Sequence, residues 1–538
     1  MLPCLTGRVQ SLGLAVTARG ALPGDATPIA TRGSMEPRAQ DPISTAFAAL
    51  ARHAATAPLV VSTSRTATVG DIDALAGVAT AVLMRPAARL PEGTVVGLAA
   101  ANGPGLLASL LAVWRRGLAA LLLDAQAPEA ESRRIARSLG AAALLRCATG
   151  WPGAADDWSL TGLGERPGHG MGEGEGEDAP APLVLPGCAV VKLTSGSTGS
   201  PRGVVTPAAA LIADDAALTA SMGLTAADRL LAAIPLSHSY GLSSLVLPAL
   251  LRGAVLVVPE EGSLLEPLAA AARTGATFFP TVPAYVQALL RLSHPPAWPR
   301  SVRLVVAAGA PLEPAAARGF RAAFGLPVHV FYGASECGGI CYDREGGAGE
   351  RGTVGAPVEG VRLTLAAPPG GVLGSAGKGV GMVTIRSPAV AGGYLPDPDP
   401  RLAEGRFIAR DLAAFQDGEL ALRGRLDDLI NVKGKKVDPR EVEGVLGELE
   451  GVDEVVVLGV AAADGGAEVV RAVIACRPGR LRCEQILAFC RERLSAHKVP
   501  RSVILVPEMP RTARGKIDRP ALLALAPAAG PIRRGYGC

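Results

Sequence analysis

The sequence predicts an α/β protein, with a large unit built on parallel sheet followed by a smaller α+β unit. Three observations carry this expectation. From Pro42 onward, apolar runs rich in Val, Leu and Ala alternate with longer helical patterns. Within that region strand, helix and strand follow one another at βαβ spacing, which implies parallel pairing. Near Gly424 the texture changes, and charges cluster at Arg423, Arg425, Asp427, Asp428, Lys433, Lys435 and Lys436.

Val95 to Ala99 reads as a buried strand, Gly105 to Trp114 as a helix and Ala119 to Leu123 as the next strand. Further strand-like runs lie at Arg229–Ile234, Ala254–Val258, Val302–Ala307 and Val328–Phe331. Past Gly424 come a helix from Pro439, strands at Val455–Val460 and Val469–Cys476, and an amphipathic helix at Glu484–Leu494. That is a unit of roughly 100 residues, an ordinary domain size. The stretch Gly162–Gly187 breaks the rhythm with an acidic glycine repeat from Gly172, a solvated surface loop without assigned chemistry. Residues 1–40 are read as an N-terminal extension, disordered or mis-assigned, because Met35 opens a more ordinary N-terminus. The expected division is therefore 1–40, a first domain 41–424, a second domain 425–525 and a tail 526–538.

Composition bounds the function classes. Of 538 residues 49% are hydrophobic, and 66 Gly with 44 Pro make about a fifth of the chain, without a collagen period. Such a chain buries an ample core without disulfides or a structural metal. The net charge of +4 and 4% aromatic content give no reason to expect a nucleic-acid or membrane-surface partner. Two charge-free stretches, Gly93–Trp114 and Leu230–Leu251, are broken by Asn102–Gly105 and by Pro235, His238 and Pro248, so no transmembrane segment is expected. The nine cysteines are scattered without a CxxC pair, which favours idle thiols of a reducing cytosol over a zinc site.

The densest chemical signal is Val190-Val191-Lys192-Leu193-Thr194-Ser195-Gly196-Ser197-Thr198-Gly199-Ser200-Pro201-Arg202-Gly203. Glycines let backbone N–H groups converge on an anion, hydroxyls add donors, and Arg202 adds a guanidinium suited to phosphate oxygens. Polyphosphate binding follows, though not through a Walker A loop, because no lysine follows Gly199 or Gly203. The bland alternative is a flexible polar linker.

This segment resembles the signature loop of the adenylate-forming superfamily, which includes acyl- and aryl-CoA synthetases, peptide-synthetase adenylation domains and luciferases. Arg202 stands where the family pattern has lysine. Further segments are similar to family motifs in the expected order, over about residues 41–525. In Tyr332-Gly333-Ala334-Ser335-Glu336 the resemblance implies that Tyr332 and Gly333 pack against the adenine, that Ser335 is a further nucleotide-binding residue and that Glu336 holds Mg2+. Asp411 corresponds to the aspartate that takes both ribose hydroxyls, with Ala409-Arg410 replacing the family's Thr-Gly. The resemblance makes Arg425 a ribose or phosphate contact, Asp427 a hinge pivot, and Lys433-Gly434 part of a loop facing the incoming thiol. Lys516 corresponds to the mobile catalytic lysine that reaches the α-phosphate. His238 would sit by the acyl pocket, and Gly309-Ala310-Pro311 would line the adenine and acyl pockets. Each has a plain reading beside it: a solvated charge, an ordinary turn, or a hydrogen-bonded histidine.

By resemblance the fold would be a large N-terminal domain of stacked α/β sheets with a β-barrel-like subdomain, plus a small mobile α+β C-terminal domain. The implied activity is ATP-dependent ligation of a small carboxylic acid to a thiol through an acyl-adenylate. Its cofactors would be ATP, Mg2+ and coenzyme A. The alternatives are an acyl carrier protein as partner, its phosphopantetheine replacing coenzyme A, and a catalytically inactive nucleotide-binding homologue. The implied setting is cytoplasmic. The acid is not legible; small residues in Ala307–Pro311 and Gly333–Cys341 leave room for an aromatic or medium-to-long acyl group.

Overall fold

The computed structural model describes residues 50, 52–85, 90–163, 182–195, 201–260, 262–367, 379–426, 430–432, 435–437, 439–461, 468–494, 496–512 and 516–525. The extension 1–40, the acidic glycine repeat and the tail 526–538 lie outside them.

The strand Val95–Ala100 shows why an unbroken apolar run forms the middle of a sheet. It pairs in parallel with Ala119–Leu122 on one side and Ala143–Cys147 on the other. Successive side chains point to opposite faces. Val96, Leu98 and Ala100 enter one apolar cluster, whereas Val95 and Ala99 enter another. Both faces are covered, so both must be apolar. Seven strands make up this sheet, in the order 393–395, 201–207, 188–195, 119–122, 95–100, 143–147, 158–162.

Pro104–Arg115 is apolar all round and buried at all but its last residue, as a helix enclosed by protein must be. Trp114 Nε1 donates to the Ala189 carbonyl at 3.0 Å, and Trp158 Nε1 donates to Ser109 Oγ at 2.9 Å. The uncharged stretch from Gly93 is thus a buried strand and helix, as expected. Among the described residues no helix is long and apolar enough to cross a membrane.

A second, nine-stranded sheet has the order 356–357, 338–342, 329–334, 304–308, 278–281, 229–231, 255–257, 58–61, 66–68. Its middle strands are parallel, and antiparallel hairpins finish both edges. One apolar cluster takes in side chains from both sheets and from the helices Val69–Leu83 and Pro104–Arg115. Asn102 ties the sheets across their ends: its Nδ2 donates to the Ile234 carbonyl at 3.0 Å and its Oδ1 accepts from Leu236 N at 2.9 Å. Five antiparallel strands, among them Arg406–Gln416 and Glu419–Arg425, form a smaller sheet.

The C-terminal sheet has the strands Glu454–Ala461, Glu468–Ala475 and Ser502–Val506. Val457 faces one core of its own, which includes Ile486 of the helix Cys483–Arg493, while Val456 and Leu458 face another. Large stacked sheets and a small α+β unit are what the sequence led us to expect.

A buried carboxylate joins three of these elements. Asp214, in the helix Ala208–Met222, accepts Ser243 Oγ at 2.6 Å and Gly339 N at 2.9 Å. Gly338 turns at φ +67°, and a Cβ there would overlap the Asp214 carboxylate. We expect Gly338→Ala to be destabilised by about 1–2 kcal/mol through its left-handed backbone and by a further ~1–3 kcal/mol through that overlap. Gly223 has φ +61° with open space around it, so Gly223→Ala reports the backbone effect alone. Denaturation midpoints separate the two, and equal losses would contradict the packing role.

Candidate active site

The strands Cys188–Ser195 and Pro201–Pro207 form an antiparallel hairpin with Thr194 opposite Arg202 and Ser195 opposite Pro201. Thr194 is half-buried. Gly196, Ser197, Thr198 and Gly199, with the side chain of Ser195, lie outside the described residues.

Arg202 is engaged. Its Nη1 meets Asp399 Oδ2 at 3.3 Å, its Nη2 donates to the Asp397 carbonyl at 3.0 Å, and its guanidinium carbon lies 3.9 Å from the Tyr394 ring centre. The Tyr394 hydroxyl donates to Glu336 Oε1 at 2.8 Å. Burial, followed by the Glu336 charge, raises the Tyr394 pKa, so this hydroxyl stays protonated and remains the donor. Sequence reasoning missed Tyr394 and Asp399. The aromatic within Gly392-Gly393-Tyr394-Leu395-Pro396 was the available signal.

Glu336 occupies the turn between the strands His329–Ala334 and Gly338–Tyr342. It is half-buried, and its carbonyl accepts from Ala391 N at 2.8 Å. Lys192, 2% exposed on the hairpin strand, sits within electrostatic reach of Asp214, Cys337 and Glu336. Burial lowers its pKa, and those three groups oppose the shift. Among the described residues no three His, Cys, Asp or Glu side chains gather into a metal cage. One carboxylate beside hydroxyl-bearing loops suits Mg2+, which takes one or two protein oxygens and completes its shell with phosphate and water. The donor set therefore fits that ion.

Several of the expected nucleotide contacts gather at the carboxyl ends of the parallel strands Leu304–Ala308 and His329–Ala334, where open α/β sheets bind ligands. The exposed turn Gly309, Ala310 and Pro311 follows the first of these strands, with Gly309 at φ +85°. Tyr332 and Gly333 end the second. The Tyr332 hydroxyl donates to Asp411 Oδ2 at 2.7 Å, and Asp411 Oδ1 lies 3.6 Å from Arg425 Nε. Burial and then Asp411 raise the Tyr332 pKa, which keeps the hydroxyl protonated. Asp411 and Arg425 face each other across antiparallel strands. The unusual Ala409-Arg410 does not weaken this support, because Ala409 is buried within an 11-residue strand and the register itself positions Asp411.

His238 caps the short helix Ser239–Gly241, its Nδ1 accepting from Tyr240 N at 3.5 Å. Ser239 Oγ and Ser335 Oγ are 2.6 Å apart, so His238 is held near the Glu336 turn. The Tyr240 hydroxyl donates to the Val306 carbonyl at 3.0 Å, and its ring stacks on Phe331 with centroids 5.2 Å apart. A Cβ on Gly241 would overlap the Pro235 carbonyl, so only glycine lets the helix fold back this tightly. The helix continues through a π-helical segment, Leu242–Val246, a distortion frequent at functional sites.

Thus Tyr332, Asp411 and Arg425 meet, and Glu336, Ser335, Ser239 and Arg202 are linked through direct contacts and Tyr394. Lys516 lies beside the Arg511–Ile517 bridge, with its side chain exposed and its carbonyl accepting from Thr512 N at 2.8 Å. Asp427, Lys433 and Gly434 lie outside the described residues.

Known proteins are similar to this chain in sequence and in fold. A family described as AMP-binding enzyme matches residues 47–395, and the AMP-binding enzyme C-terminal domain matches residues 441–516. The oxalate–CoA ligase of Arabidopsis thaliana is 33% identical over 337 residues, 61% of this chain and 65% of that protein. The sulfoacetate–CoA ligase of Cupriavidus necator is 32% identical over 347 residues, 62% of this chain and 66% of that protein. Each match spans just under two thirds of the relative's length. In fold, ATP-bound MatB from Rhodopseudomonas palustris superposes with a TM-score of 0.73 at 22% identity, covering 89% of this chain and 98% of that one. With both family models matched, the first over more than half of its length, the chain belongs to the AMP-binding enzymes of the adenylate-forming superfamily.

Proposed function

We propose that the chain is an AMP-forming acid:thiol ligase that activates a small carboxylic acid with ATP and transfers the acyl group to coenzyme A. The single observation that carries this is the Tyr332–Asp411–Arg425 corner beside the Glu336 turn and the phosphate hairpin. Relatives named as CoA ligases support the choice of acceptor. The free cysteines suit a reducing cytoplasm, where we place the protein.

In the first step a carboxylate oxygen attacks the α-phosphorus of ATP, the bond to the bridging oxygen breaks, and pyrophosphate leaves. Asp411 holds the ribose hydroxyls as acceptor, with Tyr332 and Arg425 fixing its carboxylate. The hairpin from Thr194 to Arg202 surrounds the β- and γ-phosphates. Glu336 would hold Mg2+, which when bound neutralises phosphate charge. Lys516 stabilises the charge that develops at the α-phosphate. In the second step a thiolate attacks the acyl carbon, and AMP departs with its bridging oxygen. AMP is a far better leaving group than the oxygen of a free carboxylate, which is the reason for two steps. We assign the boundary to 424/425, the pivot to Asp427 and the thiol-side surface to Lys433–Gly434.

The first test is pyrophosphate exchange into ATP, screened over aryl, short, medium and long acids. We expect exchange with at least one acid class and a thioester when coenzyme A is added. Thioester only on a carrier-protein pantetheine would replace the acceptor, and no exchange with any acid would overturn the reading. Lys516→Ala is expected to lower adenylation about 100- to 1,000-fold while sparing thioester formation from supplied acyl-AMP. Equal loss in both steps would contradict its role. Asp411→Asn should raise the KM for ATP roughly ten- to a hundredfold, as loss of a charged hydrogen-bond acceptor does. Tyr332→Phe should raise it only about two- to tenfold, as loss of a neutral donor does. Unchanged KM values would remove the ribose assignment.

A further inference from the structure

The cation of the phosphate hairpin and the carboxylate of the Glu336 turn are joined by one side chain. The strand Gly393–Leu395 pairs with the hairpin, placing Tyr394 opposite Val204 and Leu395 opposite Gly203. This register brings the Tyr394 ring under the Arg202 guanidinium, 3.9 Å away, and carries its hydroxyl 2.8 Å from Glu336 Oε1. The far side of Arg202 is fixed too, by Asp399 Oδ2 at 3.3 Å and the Asp397 carbonyl at 3.0 Å. Asp399 is held in turn by Arg401, whose Nη2 lies 2.6 Å from Oδ2. These two arginines, Arg401 foremost, keep the Asp399 carboxyl down at about 2. Ala391 N, on the Glu336 carbonyl at 2.8 Å, anchors the segment at its other end.

An arginine is required for this arrangement. A planar guanidinium stacks on an aromatic face while its edge donates to two separate acceptors; a lysine ammonium has no such plane or fork. With Tyr394 only 7% exposed, its hydrogen bond to Glu336 is largely shielded from water, which strengthens it.

We propose that Arg202 is a positioning residue for Glu336, acting through Tyr394, so that the phosphate hairpin and the carboxylate facing the metal-bound phosphates are set as one unit. This rests on the ligase reading, in which Glu336 serves Mg·ATP. Arg202 then contributes to nucleotide binding by orienting Glu336 and not only by its charge.

The test is a double-mutant cycle on the full chain with Arg202→Lys, Tyr394→Phe and the pair. Mg·ATP and metal-free ATP affinities are measured by calorimetry, alongside pyrophosphate exchange. Each single variant should weaken Mg·ATP binding about tenfold, and the double variant no more than the worse single, as residues acting in series do. Metal-free ATP should shift by less than about threefold, because Glu336 acts through the metal. Losses that multiply to about a hundredfold would overturn the proposal, as would Mg·ATP affinity unchanged in Arg202→Lys. Should Arg202→Lys fail to fold, Asp399→Asn releases the same guanidinium and Tyr394→Phe removes a single oxygen. Wild-type affinity in that pair would overturn the proposal equally. Coupling in Mg·ATP affinity without acid-dependent exchange would sink the ligase reading and support the coupling; normal exchange without coupling would sink the coupling alone.

Discussion

The Asp214 carboxylate is buried, and its two oxygens accept one hydrogen from the backbone of Gly339 and one from the hydroxyl of Ser243. Gly339 belongs to the hairpin whose turn carries Glu336, and Ser243 to the helical stretch that His238 begins. Lys192, on the strand Cys188–Ser195, is buried within electrostatic reach of Asp214. A buried charge is costly unless it is paired and hydrogen-bonded. Here the cost fixes geometry: the Glu336 turn and the helical stretch after His238 meet on one anchor, and neither can shift without leaving a buried polar group unsatisfied.

The Tyr332–Asp411–Arg425 corner uses a different device. Asp411 is about a quarter exposed and beside Arg425, so its charge needs no deep burial and remains available to an incoming ribose. Tyr332 keeps it aimed.

Much of the fold was legible because it depends on short-range pattern. The run from Val95 to Ala100 had to be a central strand, since both of its faces are apolar, and the charge-free helix after Pro104 had to be enclosed. The phosphate hairpin showed itself through the density of glycines and hydroxyls between Thr194 and Gly203. Asp411 was reachable only by resemblance, because its neighbours Ala409 and Arg410 depart from the pattern and its support comes from strand register. The Tyr394 bond to Glu336 spans 58 positions, that of Gly339 to Asp214 spans 125, and the Arg202–Asp399 pair spans 197. Pairs so far apart leave no periodic trace.

The central claim is that this site joins the acid's oxygen to the α-phosphorus of ATP. Its most direct measurement uses an accepted acid labelled with oxygen-18 in the carboxylate, turned over with ATP and coenzyme A. Attack through the carboxylate forms a carbon–oxygen–phosphorus bridge, and thiol attack on the acyl carbon leaves that oxygen with phosphorus. One labelled oxygen in the phosphate of each AMP is the predicted result; label absent from AMP and present in pyrophosphate or inorganic phosphate would contradict it.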